Sequence, residues 1–201
     1  MEKQEGGLYI EEIAKKVKVA ILGDSKIGKT ELISKLLDTG LSVNSRTIEQ
    51  SYNLIETINN RRINLNIVDT SGGEEHFNLV QLWISDVDGI VLAFSINNKK
   101  SFDNLKKYYN KIRNLKGRNF PMVLIGLQKN SNENREVSIE TGKTQAMMWS
   151  ISYYELSENN LKSPFKSLVN KILLKEEKGK SFDPSAIVNN CKATSCFCTI
   201  F

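Results

Sequence analysis

The sequence has no long apolar segment, and this absence excludes two kinds of protein. No run among its 201 residues reaches the ~20 apolar residues that a membrane-spanning helix needs. Residues 1–16 contain charges and two glycines but no apolar run of signal-peptide length. We therefore expect a protein that is synthesised in the cytosol and stays there.

Cysteine and histidine are also scarce. The three cysteines, Cys191, Cys196 and Cys198, all lie in the last eleven residues, a poor framework for disulfides that also lacks the partner ligands of a zinc site. The single histidine, His76, lies in a polar run, and we interpret it as a solvated loop residue rather than a catalytic base. The position of the three cysteines instead points to a chemical role in the C-terminal tail.

Net charge is modest, at +5, and the basic residues are spread along the chain without interleaved aromatic residues. This pattern gives little support to nucleic-acid binding and fits a mild attraction to acidic lipid. With 40% hydrophobic and 25% charged residues, the chain suits one globular domain with a sizeable core. We expect a monomer without nucleic-acid partners.

Periodicity divides the chain into three regions. Residues 1–15 form an N-terminal extension, 16–176 a folded domain and 177–201 a flexible tail, because apolar periodicity stops near Glu176 and polar residues then dominate. Within the domain, short apolar runs alternate with amphipathic stretches, which predicts an α/β fold with a mostly parallel six-stranded sheet and flanking helices. Strands are predicted at 17–22, 52–58, 63–67, 89–96, 121–126 and 152–156, and helices from Lys29, at 100–116, at 138–149 and from Ser163.

A phosphate-binding motif follows the first predicted strand. Its residues match GxxxxGK[ST] and are Gly23, Asp24, Ser25, Lys26, Ile27, Gly28, Lys29 and Thr30. The glycines let backbone N–H groups surround an anion, Lys29 would neutralise β- and γ-phosphate oxygens, and Thr30 offers a hydroxyl to Mg²⁺. The alternative is an ordinary strand-to-helix turn.

A carboxylate ends another buried strand. Asp69 follows the run 63–68 and is itself followed by Thr70, Ser71 and Gly72. A carboxylate in this place can orient a Mg²⁺ ligand. A strand-ending Asp can also be a turn residue or a helix cap, so its interpretation depends on the neighbouring motifs.

The phosphate loop, the polar segment 47–52, the run 69–72 and the run 94–98, in this order, resemble a Ras-subfamily small GTPase over about residues 16–175 and the tail. The resemblance implies the P-loop NTPase fold of a small-GTPase G domain. It also implies that Thr47 binds Mg²⁺ and the γ-phosphate, and that the Gly72 N–H contacts the γ-phosphate. Segments 41–52 and 70–83 would be the two switches that change order between nucleotide states.

The first switch also resembles the effector-binding edge of Ras and Rap proteins. That edge comprises Thr47, Ile48, Glu49, Gln50, Ser51 and Tyr52. Gln50 stands where the family usually has an acidic residue, and Arg46 stands where it usually has proline. The resemblance implies effectors, an exchange factor and a GTPase-activating protein as partners.

The catalytic position of the resembled family is changed. Gly73 occupies the place of the glutamine that positions the attacking water, and Ser25 replaces the first of two adjacent loop glycines. Glycine has no amide with which to orient water, and Glu74 and Glu75 would add negative charge near the γ-phosphate. We expect very slow GTP hydrolysis.

The guanine-binding positions of that family are changed as well. Asn130 replaces the aspartate of NKxD, Leu127 replaces its asparagine, residues 157–159 replace the SAK motif, and Leu41 replaces a stacking phenylalanine. An amide offers one acceptor and one donor where guanine requires two acceptors. Phosphate contacts are therefore expected to be kept while base contacts are weakened.

The tail carries a lipidation motif. Cys198-Thr199-Ile200-Phe201 is a CaaX box whose final residue favours geranylgeranyl. One prenyl chain anchors weakly, so Cys196 is a candidate for palmitoylation, and lysines of the last helix and tail add a diffuse basic surface. We expect residence on the cytosolic face of a membrane, most simply the plasma membrane.

Two functional hypotheses remain open. In the first, the chain is a membrane-tethered GTP/GDP switch that uses Mg²⁺ and hydrolyses GTP slowly. In the second, it is a pseudo-GTPase binding module with weak or no nucleotide selectivity. Residues Trp83, Met147, Met148 and Trp149 are interpreted as core residues, because aromatic and Met side chains at helical spacing usually pack inside.

Overall fold

The computed structural model describes residues 14–37, 49–73, 76–128, 134–156 and 160–180. Strands and helices alternate along most of this chain. The strands are β1 (Lys15–Leu22), β2 (Glu49–Ile58), β3 (Arg61–Thr70), β4 (Gly89–Ser95), β5 (Met122–Leu127) and β6 (Ser152–Glu155). The helices are α1 (Lys29–Leu36), α2 (Val80–Ser85), α3 (Lys99–Lys116), α4 (Ile139–Trp149) and α5 (Ser163–Lys180).

The six strands form one sheet in the order β2-β3-β1-β4-β5-β6. Only the β2–β3 pair is antiparallel; the other described pairs are parallel. The predicted mostly parallel α/β sheet is therefore confirmed. Because β1, β3 and β4 are neighbours that run in the same direction, the loops that follow them emerge at the same edge.

Both faces of the sheet are covered by helices. Along β1, Val19 and Ile21 pack in a core with α1 and α5, while Ala20 and Leu22 pack in a second core with α2 and α3. Burial on both faces explains why these strands are continuous apolar runs rather than alternating ones.

The β2–β3 hairpin closes through two asparagines. Asn59 and Asn60 have φ values of 51° and 58°, the left-handed pair that a tight hairpin turn requires. Ile58 then pairs with Arg61, and the register continues to the pair of Glu49 with Thr70. This register confirms the predicted hairpin and places the start of β2 beside the end of β3.

The last helix is longer than the sequence pattern suggested. The periodicity weakens near Glu176, yet α5 continues to Lys180. Its final turns carry Glu176, which pairs with Lys15, and Glu177, which pairs with Arg61 at 2.9 Å. Ion pairs of this kind hold a polar turn that apolar periodicity cannot reveal. Among the described helices, none is long and apolar enough to cross a bilayer.

The expectation that all four Met and Trp residues pack inside is partly wrong. Trp83 is buried, and Trp149 stacks on Tyr109 with ring centroids 4.3 Å apart, but Met147 and Met148 are 77% and 73% exposed. The face of α4 that packs on the domain contains Gly142 and Ala146, four residues apart. The two methionines follow Ala146 directly and point away from that face. The burial of these side chains is therefore set by their position around α4 and not by their residue type.

Candidate functional site

The loop between β1 and α1 is shaped by three glycines. Gly28 is left-handed, with φ 100°, and directly precedes α1. A Cβ atom at Gly23 would lie 2.1 Å from the carbonyl oxygen of Ala93, and one at Gly72 would lie 2.1 Å from the carbonyl carbon of Asp24. Only glycine allows these approaches. The structure thus brings the end of β3 directly against the loop, as the motif order predicted.

The remaining residues of the loop divide by exposure. Ser25 and Lys26 are exposed, Ile27 is buried in the core, and Asp24 is half-buried. Asp24 accepts a hydrogen bond from Asn104 Nδ2 of α3 at 2.7 Å. This contact draws the Asp24 carboxylate toward α3 and braces the loop. Sequence reasoning missed Asn104, since it lies 80 positions from Asp24 and belongs to no motif.

Lys29 lies beneath the loop and is 6% exposed. Its Nζ donates to the carbonyl oxygens of Gly23 and Asp24, at 3.0 and 2.7 Å. Burial lowers the pKa of Lys29 to about 8, and the charges of Asp69 and Asp24 oppose that shift. An ammonium has three donors, so one remains for an anion in the loop. An anion there would raise the pKa of Lys29 again by stabilising its charged form.

Thr30 and Asp69 form the second part of the site. The Thr30 hydroxyl donates to Asp69 Oδ2, and the carboxyl is fully buried. Burial raises the pKa of Asp69, against the opposing effects of the Thr30 hydrogen bond, the Lys29 charge and the Thr70 backbone. Among the described residues, no donor lies within hydrogen-bond distance of Oδ1.

This oxygen set fits Mg²⁺. The cation prefers carboxylate and hydroxyl oxygens, and a buried carboxylate oxygen without a donor is suited to a cation or its bound water. Within the described part of the chain, no group of three or more His, Cys, Asp or Glu side chains could hold a metal. A magnesium ion here would therefore depend on Thr30, Asp69 and the nucleotide phosphates, with Thr47 outside the described residues.

The effector edge is described only in part. Glu49, Gln50 and Ser51 are exposed on β2, the outer strand of the sheet, and Tyr52 is half-buried. Ile48, like Thr47, lies outside the described residues. Trp83 Nε1 of α2 donates to Glu49 Oε2 at 3.1 Å. This bond joins Glu49 of the predicted edge to α2, whose first residues belong to the predicted second switch.

Gly73, at the predicted catalytic position, makes its described contact through the backbone. The carbonyl of Gly73 accepts the His76 N–H at 3.0 Å, which begins the turn into α2. His76 is half-buried rather than fully solvated. Glu74 and Glu75 lie outside the described residues. With no side chain at Gly73, this position supplies nothing that could orient water.

The base end has a different construction. Leu127 ends β5, and its side chain is buried among the apolar residues of the core. Arg135 forms an ion pair with Glu155, donates to Glu155 Oε2 through Nη1 at 3.1 Å and also donates to the Val137 carbonyl. Tyr153 donates to the same Glu155 oxygen at 3.1 Å. Arg135 is the main cause that lowers the pKa of Glu155.

This network joins Arg135, which follows the first predicted base-contact region in the sequence, to Glu155, which precedes the second. Those regions, Asn130 and residues 157–159, lie outside the described residues, as do Leu41 and the tail with Cys196 and Cys198. Sequence reasoning missed the network, because Arg135 and Glu155 are 20 positions apart and neither belongs to a motif.

The chain is similar to known proteins along most of its length. Residues 18–174 match the model of the Ras family. The GTP-binding protein Rheb of Homo sapiens is 30% identical over 168 residues, covering 82% of this chain and 90% of the relative. Protein ras-1 of Neurospora crassa is 30% identical over 179 residues, covering 86% and 84%. Ras-related protein Rab-11B of Dictyostelium discoideum is 29% identical over 170 residues, covering 82% and 77%.

The family match begins in β1 and ends in α5, so it spans the whole sheet and both of its cores. The mostly parallel six-stranded sheet, the loop after β1 and the carboxylate at the end of β3 all occur as the resemblance predicted. This chain belongs to the Ras family.

Proposed function

We propose that this chain is a signalling switch that binds GTP and GDP with Mg²⁺ through the loop at 23–30. The observation that carries the proposal is the pairing of a buried lysine, Lys29, with the buried Thr30–Asp69 hydrogen bond at the same loop. A buried ammonium and a buried carboxylate both cost folding free energy unless a ligand or partner uses them. A relative named as GTP-binding adds support.

The loop binds phosphate by three means. Backbone N–H groups at the start of α1 face the anion, the helix dipole favours negative charge there, and Lys29 adds a cation. Thr30 and Asp69 would hold Mg²⁺, with Thr47 as a third ligand in the triphosphate state. When bound, Mg²⁺ neutralises charge on the β- and γ-phosphate oxygens.

Hydrolysis by this chain is slow in our proposal. Gly73 has no side chain to position water, and Ser25 adds bulk at the loop where a partner's arginine would approach. The protein then remains in the triphosphate state for long periods. An exchange factor and a GTPase-activating protein would regulate it, and effectors would bind the edge from Thr47 to Tyr52.

The site of action in this proposal is the cytosolic face of the plasma membrane. A geranylgeranyl chain on Cys198 and a palmitoyl chain on Cys196 would together give stable anchoring, since one chain alone binds reversibly. Membrane fractionation tests this part: the wild-type protein should pellet with membranes and Cys198→Ser should become soluble. A Cys198→Ser variant that still pellets completely would disprove prenyl anchoring.

One observation favours a second candidate, a binding module with little nucleotide selectivity. Leu127 is buried in the core, where it cannot replace the polar side chain that the family uses near the base. Denaturing the purified protein and separating the released small molecules by chromatography decides between the two. Bound GTP or GDP supports the switch. No released nucleotide, together with no thermal stabilisation by millimolar Mg²⁺-GTP, supports the binding module.

A further inference from the structure

Lys26 has an unusual backbone conformation for its residue type. Its φ is 61°, in the left-handed region that a side chain with a Cβ atom avoids. The other non-glycine residues with positive φ in the described ranges have evident roles: Asn59 and Asn60 form the hairpin turn, and Ser150 caps α4. Lys26 instead lies within the phosphate-binding loop. Strain of this kind is typical of functional positions.

The side chain of Lys26 is absent from the ion pairs that the described residues form with one another. It is exposed, and among the described residues no carboxylate lies within ion-pair distance of its ammonium. Lys15, Lys18 and Lys162, in contrast, each pair with an acidic side chain. The charge of Lys26 therefore remains available to a ligand.

The two lysines of the loop differ in their surroundings. Lys29 is buried and uses two of its donors on loop carbonyls, whereas Lys26 lies three positions earlier on the solvent side. A hydrated ammonium on a flexible stem can follow a phosphate chain without fixed geometry. The loop thus offers one fixed cation from beneath and one adaptable cation from outside.

We propose that the Lys26 side chain binds the polyphosphate of the nucleotide from the solvent side and raises affinity irrespective of the base. The motif itself needs only the backbone at this position, so the ammonium is an additional contact. The inference rests on the proposed function and deepens it. Because the contact is to phosphate, its contribution should increase from GMP to GDP to GTP, and it should be weakened by salt.

The test compares dissociation constants of the full chain for GTP, GDP and GMP with Mg²⁺ at low and high salt. Lys26→Gln removes the charge, and we expect GTP binding to weaken roughly fivefold to tenfold at low salt, GDP binding less and GMP binding within about twofold. Lys35→Gln is the matched control. It removes one exposed lysine at the far end of α1, about 9 Å along the helix axis from Lys29, and should change each constant by less than about twofold.

A second variant separates binding from folding. Lys26→Gly should weaken GTP binding as Lys26→Gln does, yet raise the nucleotide-free Tm by about 2–4 °C, because glycine adopts the left-handed conformation without strain. Opposite signs for affinity and stability are not expected of a residue with a structural role only.

The outcomes are separable. If wild-type protein binds GTP and both Lys26 variants bind it equally well, the contact does not exist and the switch proposal stands. An equal loss in Lys35→Gln would reduce the effect to general charge and also overturn the inference. If wild-type protein binds none of the three nucleotides, the proposed function fails and the Lys26 contact fails with it.

Discussion

At the phosphate end of the site, side chains from β3 and α1 meet the loop after β1, whereas at the base end the last residue of β5 faces the core. The phosphate-end residues Lys29 and Asp69 are both buried, and Thr70 next to them donates to the Ile21 carbonyl at 2.7 Å. These groups belong to the domain interior as well as to the site. The predicted base-contact residues Asn130 and 157–159, in contrast, lie outside the described residues.

Substitutions at the two ends are therefore expected to affect the stability of the fold differently. Replacing Asp69 or Lys29 disturbs a set of buried polar groups, whose partners would then be left unsatisfied. Replacing Asn130, which lies outside the described residues, is expected to change the ligand preference, whereas replacing Leu127 should also disturb the core in which it is buried. We therefore expect Asn130 variants to keep the fold and the proposed phosphate contacts.

The largest effect is expected from removing the buried ammonium of Lys29. Lys29→Met should weaken GTP and GDP binding by about a hundredfold or more, since a charge-assisted contact inside a desolvated site is lost. The domain should fold but unfold at a lower temperature, because the Gly23 and Asp24 carbonyls lose their donor although Met fills a similar volume. Titration with labelled nucleotide measures the first effect and thermal unfolding the second. A loss below tenfold would mean that the phosphate end is not the main source of affinity.

Restoring the base end should sharpen the contrast. Asn130→Asp supplies two acceptors for guanine and should raise the preference for GTP over ATP roughly tenfold to a hundredfold. Competition binding with the two nucleotides measures the ratio. Adding Leu127→Asn should strengthen the preference further but destabilise the domain, because a polar group enters the core. An unchanged ratio in a folded Asn130→Asp protein would show that other residues already select the base.

The hydrolytic position offers a third comparison. Gly73→Gln should raise the single-turnover rate of GTP hydrolysis roughly tenfold, because the amide can hold water near the γ-phosphate. Gly73→Ala is the matched control, since it adds a side chain without an amide and should leave the rate unchanged. Equal rates for the Gln and Ala variants would show that the position alone does not limit hydrolysis.

The smallest effect should come from the network at the base end. Glu155 has a lowered pKa in the folded protein, so its stabilising contribution is present above the ordinary pKa near 4.5 and is lost as the pH falls through the lowered value. Arg135→Met should therefore lower Tm by about 2–4 °C at neutral pH. The difference from wild type should shrink as the pH falls below 4.5.

Thermal unfolding over a pH series measures that prediction. Arg61→Met is its control, because the Arg61–Glu177 pair is more exposed than the Arg135–Glu155 pair and should contribute less. A Tm difference for Arg135→Met that is independent of pH would assign the loss to packing instead of charge.

The sequence predicted the parts of this protein that depend on local pattern. Apolar runs located the buried strands, the paired asparagines located the hairpin, and a motif located the loop at 23–30. Asp69 was predicted as a Mg²⁺-site residue because of its position in the order of motifs. Its unpartnered oxygen and its hydrogen bond to Thr30 required coordinates.

Contacts between distant positions could not be predicted. Asn104 with Asp24 and Trp83 with Glu49 join residues 80 and 34 positions apart, and nothing in either local sequence indicates a partner. The exposure of Met147 was predicted wrongly for a related reason. Its side chain type is common in cores, but its angular position on α4 depends on where the helix docks.

The two tryptophans of the chain give the protein a built-in optical readout. Trp83 is buried, and its indole N–H reaches Glu49 on the outer strand, so its emission depends on the arrangement of α2 against the start of β2. Trp149 lies nearly parallel to Tyr109, at an interplanar angle of 7°, and packs against the same core as Trp83. We therefore expect the emission of Trp83 to report on the proposed second switch and that of Trp149 to serve as an internal reference, without any added dye.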